Sequence, residues 1–352
     1  MTSEQSGQPP WRRLGLGLCG FLLFVLALAL MKEGAGGLAS LLHDHLEVTN
    51  AADSMGFGWL MACVVLSGSP AAAAAMALLR ADALRPIQAF AMVTGSRMGA
   101  SFTILLLGFV YALRERERWA ALTAGVLSFL LTGSVQLLVL PVGLWMLGRG
   151  WLEGFSLPTL EGLAAGVNRG LEPLIGPLAA FLPDWTLFVA GVGLVTLSFR
   201  LFDRALPEIR LGKTGFGHIP RLIYRPEVMF LMGLAITLVT LSVSISVGIL
   251  VPLSARGYVR RENIIPYILG ANISTLVDTL VAAVLLGDPR GVTIVVAYMA
   301  CAILVSLPIV LLVYRPYKRA ISGTLAWITG RRRNFTLFLG IVVVIPVVLI
   351  LL

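Results

Sequence analysis

Two charged side chains stand inside apolar runs long enough to cross a membrane: Arg97 within Pro86–Leu113 and Asp278 within Ile264–Leu286. A charge at that depth is costly and is kept where it faces the protein interior or a water-filled path. Arg97 offers a planar fork of N–H donors that can clamp an oxyanion through two bonds. It could equally neutralise Asp278, or extend toward an interface. Asp278 offers a carboxylate able to bind sodium or a proton, and Asn272 and Thr275 beside it offer neutral oxygens suited to a hard cation. These three are the candidate sodium ligands.

Four serines complete the set. Ser67 and Ser69 interrupt one apolar run in LSGSP, and Ser242 and Ser244 interrupt another in LSVSI. Setting Leu66 against Leu241 aligns the two regions without a gap and pairs Gly58 with Gly233, Arg85 with Arg260 and Gly95 with Gly270. Each region reads as an apolar run, a Ser-bearing break, a run of small residues, a charged turn and a second polar break at a Gly. Corresponding breaks in two halves of a membrane protein point to a transporter's binding site. Helices starting after Pro70 and after Ser244 would aim unpaired N–H groups at an anion, with Ser67, Ser69, Ser242 and Ser244 adding hydroxyls. Small serines also serve close helix packing, which is the plainer role for each alone.

The elements that must position these residues follow from composition. Hydrophobic residues make up 58% and charged residues 13% of the 352, a balance that fits a polytopic membrane protein and not an ordinary soluble domain. Leu14–Met31 is a first span and Leu38–His45 an interfacial segment. Two short apolar halves around Ser67–Pro70 make a re-entrant hairpin, Pro86–Leu113 a span broken near Thr94–Gly99, and Trp119–Leu147 a further span. Trp185–Leu201, Ile264–Leu286 (broken at Gly270–Thr275), Val292–Tyr314 and Phe335–Leu352 are the remaining spans, with a second hairpin around Ser242 and Ser244.

The fold class expected is therefore an all-α polytopic membrane protein with two inverted-topology repeats, each a re-entrant helical hairpin plus a broken transmembrane helix. It divides into residues 1–52, a first repeat at 53–147, a connector at 148–225, a second repeat at 226–314 and a C-terminal part at 315–352. The net charge of +9 could suggest nucleic acid, but the basic residues cluster between apolar spans, which is the positive-inside pattern. That pattern puts the N-terminus in the cytoplasm and leaves no role for nucleic acid, and spans that are helical rather than barrel-like favour an inner, cytoplasmic-type membrane. RERER (Arg114–Arg118) and Arg331–Arg333 read as topology signals that meet anionic lipid.

The second copy, LVPLSARGYV followed by IIPYILGANIST, resembles the type II sodium/phosphate cotransporter family. The resemblance covers roughly Asp53–Leu147 and Val228–Tyr314. It implies a secondary active symporter whose Ser-rich hairpin tips meet at the membrane midplane and hold phosphate and sodium. The chain departs from the family's pattern at Leu66 and Leu241, where the family has Gln. Gly68 and Val243 replace the middle Ser, and Gly95, Ser96 and Arg97 stand for Gly-Ala-Asn. These departures leave open a relative with a changed substrate or lost sodium coupling.

Other classes fare less well. No His dyad, paired carboxylates or metal-ligand spacing falls in the spans, so the chain reads as a non-enzyme without a cofactor, sodium serving as coupling ion. No phosphate loop of the G-x-x-x-x-G-K-[ST] kind occurs. A membrane scaffold that keeps the breaks only as fold features is the alternative outside transport. A homo-oligomer is compatible with either.

Overall fold

A computed structural model of the chain describes residues 9–44, 50–114, 118–150, 161–205, 225–240, 246 and 261–351. Among these, thirteen helices follow one another: α1 (Pro10–Asp44), α2 (Ala51–Val65), α3 (Gly68–Arg80), α4 (Pro86–Arg114), α5 (Arg118–Gly148), α6 (Glu161–Phe181), α7 (Asp184–Ala205), α8 (Pro226–Thr240), α9 (Arg261–Ser274), α10 (Leu276–Leu286), α11 (Pro289–Leu311), α12 (Tyr314–Gly330) and α13 (Arg332–Ile350). Seven segments of this set are long and apolar enough to cross a membrane, α9 and α10 counting together as one. The chain is thus an all-α, multi-pass membrane protein.

Local chemistry starts several of these helices. Asn50 Oδ1 accepts from the N–H groups of Ala52 and Asp53, and the Asp53 carboxylate accepts from Asn50 N, a reciprocal cap that fixes the start of α2. Asp288 caps α11 with Pro289 as its first helical residue, where a missing N–H costs nothing. The Arg290 guanidinium, 2.7 Å from Asp82 and 3.2 Å from the Leu79 carbonyl, ties that start to the far end of α3.

The short helix α3 is the centre of the packing. At about 1.5 Å per residue its 13 residues are too short to span a bilayer. Yet every residue from Ala71 to Leu79 is 1% exposed or less. It is enclosed by α1, α2, α4, α7, α10 and α11. The alanines make this possible, because without larger side chains the surrounding backbones approach closely on every face.

The alignment of Leu66 with Leu241 carries into the helices. It sets α2 on α8 end for end, and the first residue of α4 on the first of α9. The same contacts recur in each pair. A Cβ on Gly58 would strike the Met92 carbonyl and one on Gly95 the Met55 carbonyl; in the second pair Gly233 meets the Tyr267 carbonyl and Gly270 the Phe230 carbonyl.

Several expectations change. The helix α4 runs unbroken through Thr94–Gly99. Thr94 Oγ1 donates to the Phe90 carbonyl at 2.9 Å, Ser96 Oγ to Val93 and Ser101 Oγ to Met98 at 2.7 Å, so these buried hydroxyls are satisfied by their own helix. The break in the second copy is one residue, Thr275, between α9 and α10. The segment Leu38–Asp44 continues α1 as helix, with Gly34 and Gly37 pressed against Asp184. Helix α3 starts at Gly68, placing Pro70 inside its first turn, where proline is tolerated. Leu241, Ser242, Val243, Ser244, Arg260 and most of RERER lie outside the described residues.

Candidate functional site

The turn between α2 and α3 consists of two residues. Leu66 takes a left-handed conformation (φ 56°, ψ 29°), which costs a residue with a side chain about 1–2 kcal/mol. Ser67 is extended and precedes α3 without using its hydroxyl as a cap. That hydroxyl and the first-turn N–H groups of α3, which have no acceptor within the helix, therefore remain available. Gly68 follows at a close approach: a Cβ there would come 2.8 Å from the Ser96 carbonyl and 3.1 Å from Arg97 Nη2.

This turn forms one wall of a cavity of about 270 Å³. Leu66, Ser67, Gly68 and Ser69 face Arg97, Ser101 and Thr103 of α4, Thr132 of α5, Thr196, Arg200 and Asp203 of α7, Asn272 near the end of α9, and Thr275 between α9 and α10. Arg97, Ser101, Thr132 and Thr275 are buried, whereas Arg200 and Asp203 are exposed and stand at its rim.

The electrostatic centre is Arg97, 5% exposed. Its Nε reaches Ser96 Oγ at 3.4 Å, and its Nη2 has no hydrogen-bond partner. Asp278, 4% exposed, sits in the first turn of α10, where the helix dipole favours a negative charge. One of its oxygens accepts from Thr279 Oγ1 at 2.9 Å, while Oδ2 has no partner. Arg97 and Ser69 both act on the Asp278 carboxylate, but no nitrogen of Arg97 comes within the 4.0 Å of an ion pair. A buried unpaired guanidinium N–H is costly unless something supplies an acceptor. Asn272 Nδ2 donates to Thr132 Oγ1 at 3.1 Å, tying α9 to α5 at the cavity wall, and Thr275 Oγ1 donates to the Ala271 carbonyl at 2.7 Å. Behind Arg97, Tyr298 of α11 donates to Gln136 of α5 and also faces Thr94.

Of the residues singled out from sequence, Ser67, Ser69, Arg97, Asn272 and Thr275 line this one cavity, and Asp278 lies beside it against Ser69. Ser242 and Ser244 lie outside the described residues. Thr132, Arg200 and Asp203 belong to the cavity without having been singled out. Thr132 carried a signal, being polar inside a span; Arg200 and Asp203 looked like ordinary ends of a basic connector. Among the described residues no group of three His, Cys, Asp or Glu is placed to hold a metal ion. The side chains set on Asp278 are the Ser69 and Thr279 hydroxyls and the Arg97 guanidinium.

No family model, curated protein or solved structure matches the chain.

Proposed function

We propose that this chain is a secondary active symporter of an inorganic oxyanion, with phosphate as the first substrate and sodium as the coupling ion. The observation that carries the reading is the Arg97 guanidinium, buried with Nη2 unpartnered, at a cavity walled by the α2–α3 turn. An oxyanion there would take Nη2, the Ser67 hydroxyl and the first-turn N–H groups of Gly68 and Ser69, and would compete with Asp278 for the Ser69 hydroxyl. Sodium would be held by Asp278 with Asn272 and Thr275. Transport would be by alternating access between inverted repeats, the N-terminus being cytoplasmic. The matching glycine contacts of α2 with α4 and of α8 with α9 support the repeat reading.

A second reading has one specific observation in its favour. Leu66 lines the cavity at the turn and brings an apolar side chain where the sodium/phosphate family has Gln. A larger or less hydrated oxyanion, or transport without sodium, fits that wall better than it fits the family's pattern. A scaffold without transport leaves the unpartnered Nη2 without a purpose.

Uptake of labelled phosphate by proteoliposomes under an inward sodium gradient, with a potassium control, tests the reading. Sodium-dependent uptake lost in Arg97→Gln supports it. Absence of uptake by folded, inserted protein with phosphate, sulfate and arsenate alike overturns it.

A further inference from the structure

Helix α12 joins α11 to α13, both long and apolar enough to span a membrane. Its 17 residues make about 25 Å of helix, short of a roughly 30 Å hydrocarbon core, and Arg315, Lys318 and Arg319 in its first two turns would each be costly inside it. Helix α12 therefore runs along one membrane face, and α11 ends on the side where α13 begins.

At 100° per residue α12 shows three stripes. Tyr314, Tyr317, Ile321, Leu325 and Ile328 turn onto the protein, with Ile321 and Ile328 buried. Pro316, Ala320 and Trp327 form an exposed apolar stripe, Trp327 being 60% exposed. Arg315, Arg319 and Ser322 form the third, all exposed. Arg315 and Arg319 are four residues apart, so the two guanidinium groups are neighbours and repel. Neither has an acidic partner among the described residues.

We propose that this third stripe binds the headgroup of an anionic phospholipid. Arg315 and Arg319 fork the phosphodiester oxygens, the Ser322 hydroxyl donates a further bond, and Trp327 and Ala320 rest at the boundary with the acyl chains. Two adjacent guanidinium groups favour a ligand with net negative charge. A phosphatidylcholine headgroup carries its own ammonium and leaves their repulsion uncompensated.

The bound headgroup also steadies the cavity. Tyr317, on the protein-facing stripe, shares a 2.8 Å hydrogen bond with Ser134 of α5. Two residues earlier α5 carries Thr132, the partner of Asn272 at the cavity wall. Fixing α12 thus fixes, through Tyr317 and Ser134, the stretch of α5 that holds Asn272.

The test places the full chain in nanodiscs of phosphatidylcholine with or without phosphatidylglycerol and reads the retained lipid by native mass spectrometry. Wild type retains phosphatidylglycerol selectively. Arg315→Gln with Arg319→Gln weakens retention on the order of thirtyfold, whereas Arg80→Gln, at an exposed basic residue on another helix, leaves it unchanged. Equal retention of the two lipids, or undiminished retention by the Arg315/Arg319 variant, overturns the binding site. Tyr317→Phe keeps the lipid but loses the rise in thermal midpoint that phosphatidylglycerol brings to wild type; if the rise persists, the link to α5 is wrong. Because none of these readouts involves transport, their failure is separate from failure of the symporter reading.

Discussion

Arg97 on α4 and Asp278 on α10 are opposite charges, both buried, that act on each other yet form no ion pair within 4.0 Å. Each keeps one terminal atom, Nη2 and Oδ2, without a hydrogen-bond partner. A purely structural pair would close that gap, since breaking a buried pair is strongly destabilising. The separation leaves Nη2 at the cavity and Oδ2 beside it unpartnered.

The coupling between them is measurable. Arg97→Gln and Asp278→Asn, singly and together, form a double-mutant cycle on thermal stability in detergent. The interaction energy should be favourable and about 0.5–3 kcal/mol, with the double variant more stable than the sum of the single losses predicts. Strict additivity would show that the two charges do not interact.

Removing the guanidinium should cost ligand affinity. A charge-assisted hydrogen bond contributes about 1.5–3 kcal/mol, so Arg97→Gln should weaken phosphate binding roughly 10–100-fold. Isothermal titration or phosphate-dependent thermal stabilisation reads this. An unchanged phosphate affinity would remove Arg97 from the site.

Ser67 separates ligand binding from helix capping. An N-cap serine replaced by alanine ordinarily loses about 1 kcal/mol. The Ser67 hydroxyl makes no cap bond, so Ser67→Ala should shift stability by about 0.5 kcal/mol at most. It should nevertheless lower phosphate-dependent stabilisation, and a full capping loss with normal phosphate response would show the opposite assignment.

The glycine contacts predict a matched pair of defects. Gly95→Ala and Gly270→Ala each drive a Cβ into a helix carbonyl, of Met55 and Phe230, and should destabilise by roughly 1–3 kcal/mol or more. Gly36→Ala, with no atom within 4 Å of the added Cβ, should instead stabilise α1 by about 0.5–1 kcal/mol. Thermal midpoints of the three variants check both signs.

Gly68→Ala tests the approach of the turn to Arg97. The added Cβ sits 2.8 Å from the Ser96 carbonyl and from Ala100 Cβ, so either α3 or α4 must shift. Phosphate response should fall more than stability does. A response equal to wild type at lowered stability would mean that the Arg97 fork does not depend on this contact.

Much of this was already decided along the chain. Apolar length marked the spans, because a helix must cover the hydrocarbon core without help from water, and this needs no knowledge of neighbours. A break near Ser67 was legible because Gly, Ser and Pro interrupt a run of Ala, Val and Leu locally, but its place was not: the turn is Leu66 and Ser67, and Gly68 and Pro70 belong to α3. Arg97 and Asp278 stood out by the cost of burying charge. What the tertiary structure decided depends on contacts between distant residues. It left α4 unbroken, because hydroxyls that looked like breaks fold onto carbonyls of their own helix. It brought Thr132, Arg200 and Asp203 to the cavity from helices whose rotation about their axes no local pattern specifies. It held Arg97 and Asp278 near each other but unpaired, since a separation of a few ångströms is set by how α3 packs between α4 and α10 and not by the identity of either residue.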